Sequence, residues 1–460
     1  MNKYPKYKDS GIEWLGNIPE HWEVRKLKND STIKNGATPS TNNDDFWDGD
    51  VLWITPAEIN DITFIDKSKR KITQQGYESC GTNLVPEDSI ILTTRAPIGK
   101  LVIAKKTLCT NQGCKSIIPI SFNTKFQFYQ LKIRKKELNA LGTGTTFMEL
   151  GNFELKNLQY VAPTKPEQTT IANFLDHKLE KIDRFIIKKK QLIKLLIKKK
   201  TAIINQAVTK GLNPNAKMKD SGIEWLGDIP KHWEVRKLKE LCVGYGRIGF
   251  RGYKTTDLVN KGEGAITISP SNMKANHMTF EKCSYLSWGK YEQSPEIQIF
   301  NNDIIMVKTG STFGKVGIVK NLTEKATINP QLLVFKNIKI NPDYLYNLLK
   351  TSLIQNQVKK EVIGSTIPTI SQSKILHFKL VLPPMSTIEK ILNFIKTETT
   401  KIEKTITTLE KEITLVEEYK TALIAEAVTG KIDVRDFEIP ELEMPFSMAA
   451  EEVVSYSKEN

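Results

Sequence analysis

The sequence has few of the residues that build metal sites or disulfides. It contains five cysteines and five histidines in 460 residues, with no CxxC pair and no HExxH pattern. An odd number of cysteines at irregular spacing argues against a disulfide framework and fits a reducing cytoplasm. The opening MNKYPKYKDS lacks the apolar run of a signal peptide, and lysines interrupt the apolar stretches elsewhere. We therefore expect a cytoplasmic protein without a membrane span.

Three short motifs resemble catalytic or cofactor-binding signatures, but each lacks its required context. Gly244, Gly246 and Gly249 spell GxGxxG with no amphipathic helix after them. Residues 310–315 (GSTFGK) are one residue short of a phosphate-binding loop, and residues 341–344 (NPDY) follow no glycine-rich cofactor strand. A nucleotide site needs a strand before the glycines and a helix after them. The sequence therefore predicts no catalytic site, metal or cofactor in this chain.

What the sequence has in excess is positive charge. Lysine and arginine number 67 against 52 acidic residues, which gives a net charge of +15 and a pI near 9.3. A basic surface attracts polyanions, and DNA or RNA is a common partner of this kind. Charge alone does not separate nucleic acid from an acidic protein or a membrane surface.

The chain contains an internal repeat. The segment KYKDSGIEWLGNIPEHWEVRKLK at residues 6–28 returns as KMKDSGIEWLGDIPKHWEVRKLK at residues 217–239. A second segment, KTAIINQAVT at residues 200–209, is echoed by KTALIAEAVT at residues 420–429. The long inserts between these ends differ greatly. Because a repeat reports architecture directly, we expect two copies of one scaffold that carry two different inserts.

Each half ends in a predicted long helix, over about residues 166–208 and 387–428. Apolar residues recur every seven positions, as in Ile395, Ile402 and Leu409, and a seam this narrow needs a partner helix. The first helix is rich in lysine and the second in glutamate, so the charges favour pairing of the two with each other. We expect an antiparallel coiled coil about 60 Å long. Homo-oligomerisation through the helices is the alternative.

Both inserts are predicted to be mixed α/β domains with mostly antiparallel sheet. Short apolar and β-branched runs bounded by turns indicate strands, and each insert closes with a more helical stretch. The predicted fold class is α/β (α+β), with two mixed α/β domains separated by two long antiparallel helices that form a coiled coil. The predicted boundaries are 1–165 for the first domain, 166–213 for the central helix, 214–385 for the second domain, 386–430 for the C-terminal helix and 431–460 for a flexible acidic tail.

The turn between two paired strands is the predicted DNA-contacting element of each insert. It is TTRAPIGK at residues 93–100 and VKTGSTFGK at residues 307–315. Glycines allow close backbone approach, arginine and lysine reach guanine edges or phosphates, and asparagine and glutamine suit adenine. Arg95 is the foremost candidate for a base contact, and an ordinary solvated hairpin is the alternative. The candidate DNA-binding residues are Thr93, Thr94, Arg95, Lys100, Asn111, Gln112, Lys115, Arg247, Arg251, Lys308, Lys315 and Gln331.

The chain also resembles the specificity subunit of type I restriction-modification enzymes. The resemblance rests on SGIEWLGNIPEHWEVRKL, WITPAEI (residues 53–59), LTTRAPIGKLVIA (residues 92–104) and the paired AVTKGL and AVTGKI segments, and it covers nearly the whole chain. It implies that each variable insert is a target-recognition domain that reads one half of a bipartite, asymmetric DNA site. It also implies that the helical pair fixes the gap between the two halves.

The resemblance implies protein partners as well. Two modification (methyltransferase) subunits would dock on the conserved helices and methylate an adenine in each half-site after flipping it out of the duplex. Restriction subunits would then join to make an ATP-driven translocating nuclease. The resemblance assigns S-adenosylmethionine, ATP and Mg²⁺ to those partners rather than to this chain. A structural coiled-coil adaptor without DNA readout is the alternative function.

Overall fold

The computed structural model describes residues 2–60, 62–144, 148–223, 226–274, 277–363 and 368–438. The chain divides into unit 1 (Met1–Lys189 and Lys411–Asn460) and unit 2 (Lys190–Glu410). Each unit holds one copy of the N-terminal repeat and one insert, together with part of each of two long helices. The duplication in the sequence is therefore a duplication of structure.

Unit 1 is a mixed α/β domain. Its strands are β1 (Tyr7–Asp9), β2 (Asn17–Pro19), β3 (Glu23–Lys26), β4 (Ser31–Asn35), β5 (Trp47–Ile54), β6 (Phe64–Ile65), β7 (Arg70–Ile72), β8 (Ile90–Thr93), β9 (Leu101–Ala104), β10 (Cys109–Thr110), β11 (Cys114–Pro119) and β12 (Gln159–Ala162). Its short helices are α1 (Leu27–Asp30), α2 (Gln74–Glu78), α3 (Thr124–Ile133), α4 (Lys135–Ala140) and α5 (Asn152–Lys156). The long helix α6 (Lys165–Lys210) follows.

The sheets of unit 1 bury its most apolar strands. The five-stranded sheet has the order β4-β11-β8-β9-β6, and a three-stranded sheet has the order β10-β5-β7. Strands β8 and β9 are buried at every position, as expected for short continuous apolar runs. The strands pair antiparallel, apart from β6 with β9 and β10 with β5. This agrees with the expected mostly antiparallel sheet.

Unit 2 repeats this plan. Its strands are β13 (Met218–Asp220), β14 (Asp228–Pro230), β15 (Glu234–Lys237), β16 (Val243–Gly246), β17 (Leu258–Val259), β18 (Gly264–Ile268), β19 (Ser284–Ser287), β20 (Gln298–Ile299), β21 (Ile304–Val307), β22 (Val316–Ile318), β23 (Ala326–Ile328), β24 (Leu332–Lys336) and β25 (Lys379–Leu382). Its short helices are α7 (Leu238–Leu241), α8 (Trp288–Glu292), α9 (Pro342–Leu349), α10 (Ser352–Glu361) and α11 (Gln372–Leu376), and the second long helix is α12 (Met385–Val428). Its sheets have the orders β16-β24-β21-β22 and β17-β19-β18-β23-β20.

The two long helices pair antiparallel within each unit. In unit 1, Leu175 near the start of α6 shares a core with Leu423 near the end of α12. In unit 2, Val208 near the end of α6 shares a core with Ile391 near the start of α12. Ion pairs flank the apolar seam: Lys420 with Asp183, Lys189 with Glu412, and Lys200 with Glu403. The pairs of Lys189 and Lys200 have the expected polarity, with the lysine on α6 and the glutamate on α12, whereas Lys420–Asp183 has the reverse polarity.

A glycine with positive φ ends the conserved helical segment of each half. Gly430 in unit 1 has φ +72° and Gly211 in unit 2 has φ +77°. A Cβ at Gly430 would lie 2.4 Å from the Pro19 ring, and one at Gly211 would lie 3.2 Å from Trp233. The positive φ favours glycine at both positions, and the close approach to Pro19 adds a second reason at Gly430. The repeat conserves a tight junction between a helix end and the buried tryptophan region.

The predicted boundary of the flexible tail needs a correction. Ile432 and Val434 are buried in the core of unit 1, and the Phe437 ring lies 5.3 Å from the Phe174 ring. The backbone N–H of Asp433 also donates to the Asn2 carbonyl, at 2.8 Å. Because apolar side chains and a backbone hydrogen bond hold it, the chain from residue 431 to residue 437 belongs to the folded unit. The acidic residues Glu441, Glu443, Glu451 and Glu452 lie outside the described residues.

Candidate nucleic-acid interface

The predicted DNA-contacting turns occupy the same place in the two sheets. In unit 1 the turn joins β8 to β9, and Gly99 donates its backbone N–H to the Thr93 carbonyl at 3.0 Å. In unit 2 the turn joins β21 to β22, and Gly314 donates to the Val307 carbonyl at 2.8 Å. Both glycines have positive φ. The two turns are thus closed by equivalent hydrogen bonds, although their sequences differ.

Two further loops brace each turn through the backbone. In unit 1 the Thr94 N–H donates to the Gly113 carbonyl at 2.8 Å, and the Leu150 N–H donates to the Thr94 carbonyl at 2.9 Å. In unit 2 Lys308 takes the place of Thr94, with Gln331 and Ile370 as its partners at 2.8 and 2.9 Å. We call these three loops the loop edge: the described residues of 94–100, 111–113 and 143–150 in unit 1, and of 308–315, 329–331 and 363–370 in unit 2.

Arg95 is the best-presented cation on the loop edge of unit 1. Its Nε donates to Glu149 Oε2 at 2.9 Å, and about half of its side chain is exposed. Since this ion pair uses only Nε, the two terminal nitrogens of the guanidinium keep their donors. The ion pair with Glu149 therefore fixes the orientation of the guanidinium and leaves its two terminal NH₂ groups available. The guanidinium can still present the parallel donors that guanine O6 and N7 accept.

The other polar candidates of unit 1 are held by neighbours. Lys100 Nζ donates to Asn60 Oδ1 at 3.1 Å, and the Gln112 side chain bonds to Thr38. Asn111 accepts from the backbone of its own loop, the Gly113 N–H, at 3.0 Å. Lys100 and Gln112 lie at the surface of the edge, whereas Asn111 shapes its loop.

Three candidates of unit 1 are buried and are not available to DNA in this structure. Thr93 and Thr94 are fully buried. The Thr93 hydroxyl donates to the Pro97 carbonyl at 2.7 Å, so its role is to shape the turn. Lys115 is 7% exposed, and its Nζ lies 3.5 Å from Asn35 Oδ1. We correct these assignments because all three side chains are buried and Lys115 Nζ also lies 3.9 Å from Glu149 Oε1 of the third loop.

The loop edge of unit 2 contains an open groove of about 500 Å³. Lys274 and Lys315 line it, together with Ser271, Thr309 and Gln331. Within the described part of the chain, neither ammonium group has a hydrogen-bond acceptor or an acidic partner. Gln331 uses its Oε1 to accept from Asn329 Nδ2 at 3.2 Å, which leaves its amide N–H groups as donors.

Lys308 extends this positive region inward. Its side chain is half-buried, and its Nζ would lie 3.0 Å from a Cβ at Gly246. Burial lowers the pKa of Lys308, because a desolvated ammonium is disfavoured. No described residue pairs with it. Lys308 is therefore a cation held below the groove at an electrostatic cost.

Arg247 and Arg251, both candidate DNA-binding residues, are not freely exposed. Arg247 is 5% exposed and donates to the Ile328 carbonyl at 3.2 Å and to Thr327 Oγ1 at 3.0 Å. Burial lowers the pKa of its guanidinium. Arg251 lies 3.5 Å from Glu296 and stays partly exposed. Arg247 is corrected to a structural brace of strand β23, since its donors are spent inside the protein.

The sequence reasoning missed Asn60, Glu149 and Lys274. Asn60 and Lys274 follow equivalent short turns, Pro56–Glu58 and Pro270–Asn272, which begin directly after buried strands. The signal was present in the two ITPAEIN and ISPSNMK segments, which align once the strands are matched. Glu149 carries no such signal, because only the fold brings it to Arg95.

No thiol or metal chemistry is evident in the described parts of both units. Burial raises the pKa of Cys109, Cys114 and Cys242 to about 12, so these groups remain neutral thiols at pH 7. Within the described ranges, no group of three or more histidine, cysteine or acidic residues could hold a metal ion. The described helices include none that is long and apolar enough to cross a bilayer.

A duplicated frame that presents two dissimilar polar edges is the organisation of a sequence-recognition protein. The chain matches the family described as "Type I restriction modification DNA specificity domain" over residues 19–196 and again over residues 230–415. It belongs to this family, with one copy of the domain in each half.

Curated relatives of this kind cover most of the chain. The type I restriction enzyme MjaIX specificity subunit of Methanocaldococcus jannaschii is 26% identical over 401 residues, which is 84% of this chain and 89% of the relative. The MjaVIII specificity subunit of the same organism is 24% identical over 431 residues, which is 91% of this chain and 95% of the relative.

Solved structures show the same fold. A chain from a structure on complex assembly and conformational transition of the type I R-M system aligns with a TM-score of 0.69 at 13% identity, covering 90% of this chain and 99% of that one. The HsdS subunit from Thermoanaerobacter tengcongensis aligns with a TM-score of 0.50 at 14% identity, covering 90% and 98%. The expected fold class and specificity-subunit function are confirmed, and the adaptor alternative is not favoured.

Proposed function

We propose that this chain is the subunit that selects the DNA sequence of a type I restriction-modification complex, and that its target is bipartite and asymmetric. The observation that carries the proposal is the pair of loop edges. They have equivalent backbone hydrogen bonds but different side chains, with Arg95 and Lys100 in unit 1 and Lys274, Lys308 and Lys315 in unit 2. One frame that carries two different sets of donors fits two different half-sites.

The helical pair is the proposed docking surface for the modification subunits and the ruler that sets the gap between half-sites. Pairing of α6 with α12 buries one stripe of each helix, yet large apolar side chains remain exposed on α6, namely Phe185, Ile187, Leu192, Leu195 and Ile197. Exposed apolar groups of this size favour a protein partner. We infer that modification subunits cover them and that restriction subunits join the assembly.

The proposal assigns the chemistry to those partners. S-adenosylmethionine would serve the modification subunits, and ATP and Mg²⁺ the restriction subunits, while this chain contributes no catalytic residue.

Arg95→Ala tests the proposal in the assembled complex. The target is first found by mapping adenine methylation in the genome of a host that carries the complete system. We expect Arg95→Ala to weaken recognition of one half-site by about 1–3 kcal/mol, because a bidentate base contact has that value. The other half-site should be unchanged, and methylation rates on single-base variants of the site measure both.

Thr309→Ala is the matched control, because Thr309 occupies the place of Arg95 in unit 2. It should leave the half-site of unit 1 intact. Methylation of one uninterrupted motif would contradict the bipartite target. An equal loss by Arg95→Ala on all sequences would instead assign Arg95 to a phosphate.

A further inference from the structure

The loop edges of the two units differ at one pair of neighbouring side chains, which we call the wall of the loop edge. In unit 1, Lys100 faces Asn60 and donates to its side-chain oxygen at 3.1 Å. The equivalent residues of unit 2 are Lys315, which closes the turn before β22, and Lys274, which follows the short turn Pro270–Asn272. A lysine pair cannot form the hydrogen bond that a lysine and an asparagine form. The wall of unit 2 therefore lacks its own acceptor.

The charged side chains that line this groove are both donors, and four hydroxyl groups, those of Ser271, Thr309, Ser311 and Thr312, line it as well. The ammonium groups of Lys274 and Lys315 line it, and neither meets an acceptor among the described residues. Gln331 also lines the groove; its Oε1 already accepts one hydrogen bond from Asn329 Nδ2, and its side-chain N–H groups have no acceptor among the described residues. The hydroxyls of Ser271 and Thr309 adapt to either role. The donors of this groove therefore favour a bound group that offers several hydrogen-bond acceptors.

Guanine is the base whose exposed edge offers acceptors only. In the major groove it presents N7 and O6, whereas adenine and cytosine each present an amino donor, and thymine presents one acceptor beside a methyl group. An amino group would meet ammonium and amide donors in this groove, and the unmatched donors would disfavour it. The donor set therefore discriminates among bases.

A phosphate also offers acceptors, but the site has features that a phosphate does not need. Gln331 is oriented by Asn329, and an oriented neutral amide contributes direction rather than charge. Lys315 is half-buried, and the groove volume of about 500 Å³ accommodates the edge of a base. Lys274, in contrast, is an exposed cation, so the oriented amide and Lys315 are the features that favour a base over a phosphate.

We propose that the groove lined by Lys274, Lys315 and Gln331 reads a guanine in the half-site of unit 2. This inference rests on the proposed function, since it presumes that the loop edges contact DNA. It adds the identity of one base and the residues that select it. Unit 1 differs at this point, because the equivalent pair is one lysine and one asparagine, Lys100 and Asn60, which hydrogen-bond to each other at 3.1 Å.

The test uses the full-length chain in complex with its modification subunits and a randomised duplex library. We expect the wild type to select a two-part site with a guanine in one half. Lys315→Gln and Lys274→Asn should each reduce the preference for that guanine by roughly 5- to 100-fold, the range of a specific base contact, and leave the other half unchanged. Lys261→Gln, an exposed lysine of unit 2 outside the groove, is the matched control and should select the wild-type site.

A modified base sharpens the assignment. Replacing the selected guanine by 7-deazaguanine removes N7, so it should weaken binding by the wild type but have little further effect on Lys315→Gln. Such non-additivity is the sign of a direct contact. Independent, additive losses would overturn the proposal.

The outcomes separate this inference from the proposed function. A phosphate contact would weaken all sequences equally and reduce the salt dependence by about one ion, and that result would overturn the guanine assignment alone. A selected site whose bases do not change in either lysine variant would also overturn it alone. If the wild type selects no motif, the proposed function fails, and this inference fails with it.

Discussion

The loop edges of units 1 and 2 share a backbone and differ in how their cations are satisfied. In unit 1, Arg95 bonds to Glu149 and Lys100 to Asn60. In unit 2, Lys274, Lys308 and Lys315 have no acceptor among the described residues. The cations of the unit 1 edge are therefore held in place by neighbouring side chains, whereas the cations of the unit 2 edge have no such partners among the described residues. The same frame can hold both, because its rigidity comes from main-chain hydrogen bonds.

A lysine that is at least half-buried lies near each edge, but it comes from a different strand. In unit 1 it is Lys115 of β11, near Asn35, and in unit 2 it is Lys308 at the end of β21, near Gly246. Asn35 is the last residue of β4, and Gly246 is the last residue of the equivalent strand β16. Burial lowers the pKa of both lysines. The location of the charge is thus retained while the residue that supplies it has changed.

The repeated parts of the two units, outside the inserts, also differ around one buried carboxylate, that of Glu167. Glu167 of unit 1 is 5% exposed and accepts from Tyr4 at 2.6 Å, from Trp22 at 3.1 Å and contacts His21 at 3.0 Å. Threonine stands at the equivalent position of unit 2. Trp233, the counterpart of Trp22, is 1% exposed and has no hydrogen-bond partner among the described residues.

The largest expected contrast comes from these two tryptophans. Trp22→Phe and Trp233→Phe remove similar volumes, but only the first leaves an acceptor on Glu167 without its donor. We expect Trp22→Phe to reduce the free energy of unfolding by about 1.5–3 kcal/mol more than Trp233→Phe, the range for a hydrogen bond to a charged group. Urea unfolding of the two variants measures the difference. Equal losses would show that Tyr4 and His21 suffice for Glu167.

The next contrast concerns Lys308. Lys308→Met removes a desolvated charge and should raise the free energy of unfolding by about 0.5–2 kcal/mol while weakening DNA binding, as expected at a site where function opposes stability. Lys115→Met is the control and should not stabilise, because Asn35 and Glu149 lose a partner. Thermal unfolding and DNA titration measure both effects.

The same variant has a defined pH dependence. Because the folded state lowers the pKa of Lys308, the unfolded state binds more protons between that value and about 10.4. The stability of the wild type should therefore rise with pH across this alkaline window, and the advantage of Lys308→Met should shrink. An advantage that stays constant up to pH 10 would assign the effect to packing.

The smallest expected effect is in the helical pair. Lys200 and Lys420 occupy equivalent positions of the repeat and pair with Glu403 and Asp183. Lys200→Met and Lys420→Met keep the aliphatic stem, so each should cost only about 0.2–1 kcal/mol, as for partly exposed ion pairs. Urea unfolding at low and high salt measures the cost, which salt should reduce. Costs that differ by more than this range would mean that the repeat does not preserve the environment of the pair.

Much of the architecture followed from the sequence. The repeat predicted two frames, the heptad seam of Ile395, Ile402 and Leu409 predicted the long helices, and the apolar runs near Ile90 and Ile304 predicted the central strands. These patterns are local, so they survive without knowledge of distant contacts. The boundary of the tail was predicted wrongly, because the burial of Ile432 and Val434 depends on their packing against the core of unit 1.

Which residues contact DNA stays a prediction. Arg95, Lys100 and Lys315 were proposed from the polar turns, because hydroxyls and cations among glycines are typical of an exposed edge, and Gln331 was proposed from the stretch that follows the second turn. Lys115 and Arg247 were assigned to DNA, although the fold buries both. Exposure depends on what covers a strand, and the covering loops are distant in sequence.

Repeats and periodicities are properties of the chain, so the amino-acid sequence was enough to predict one frame used twice, with two different inserts and a charge-matched pair of helices. Which cations face outward and which have partners depends on the three-dimensional fold. Glu149 reaches Arg95, and Lys274 reaches the groove of Lys315, through contacts between distant segments. Hydrogen bonding and desolvation act over a few ångströms in space, whatever the separation along the chain.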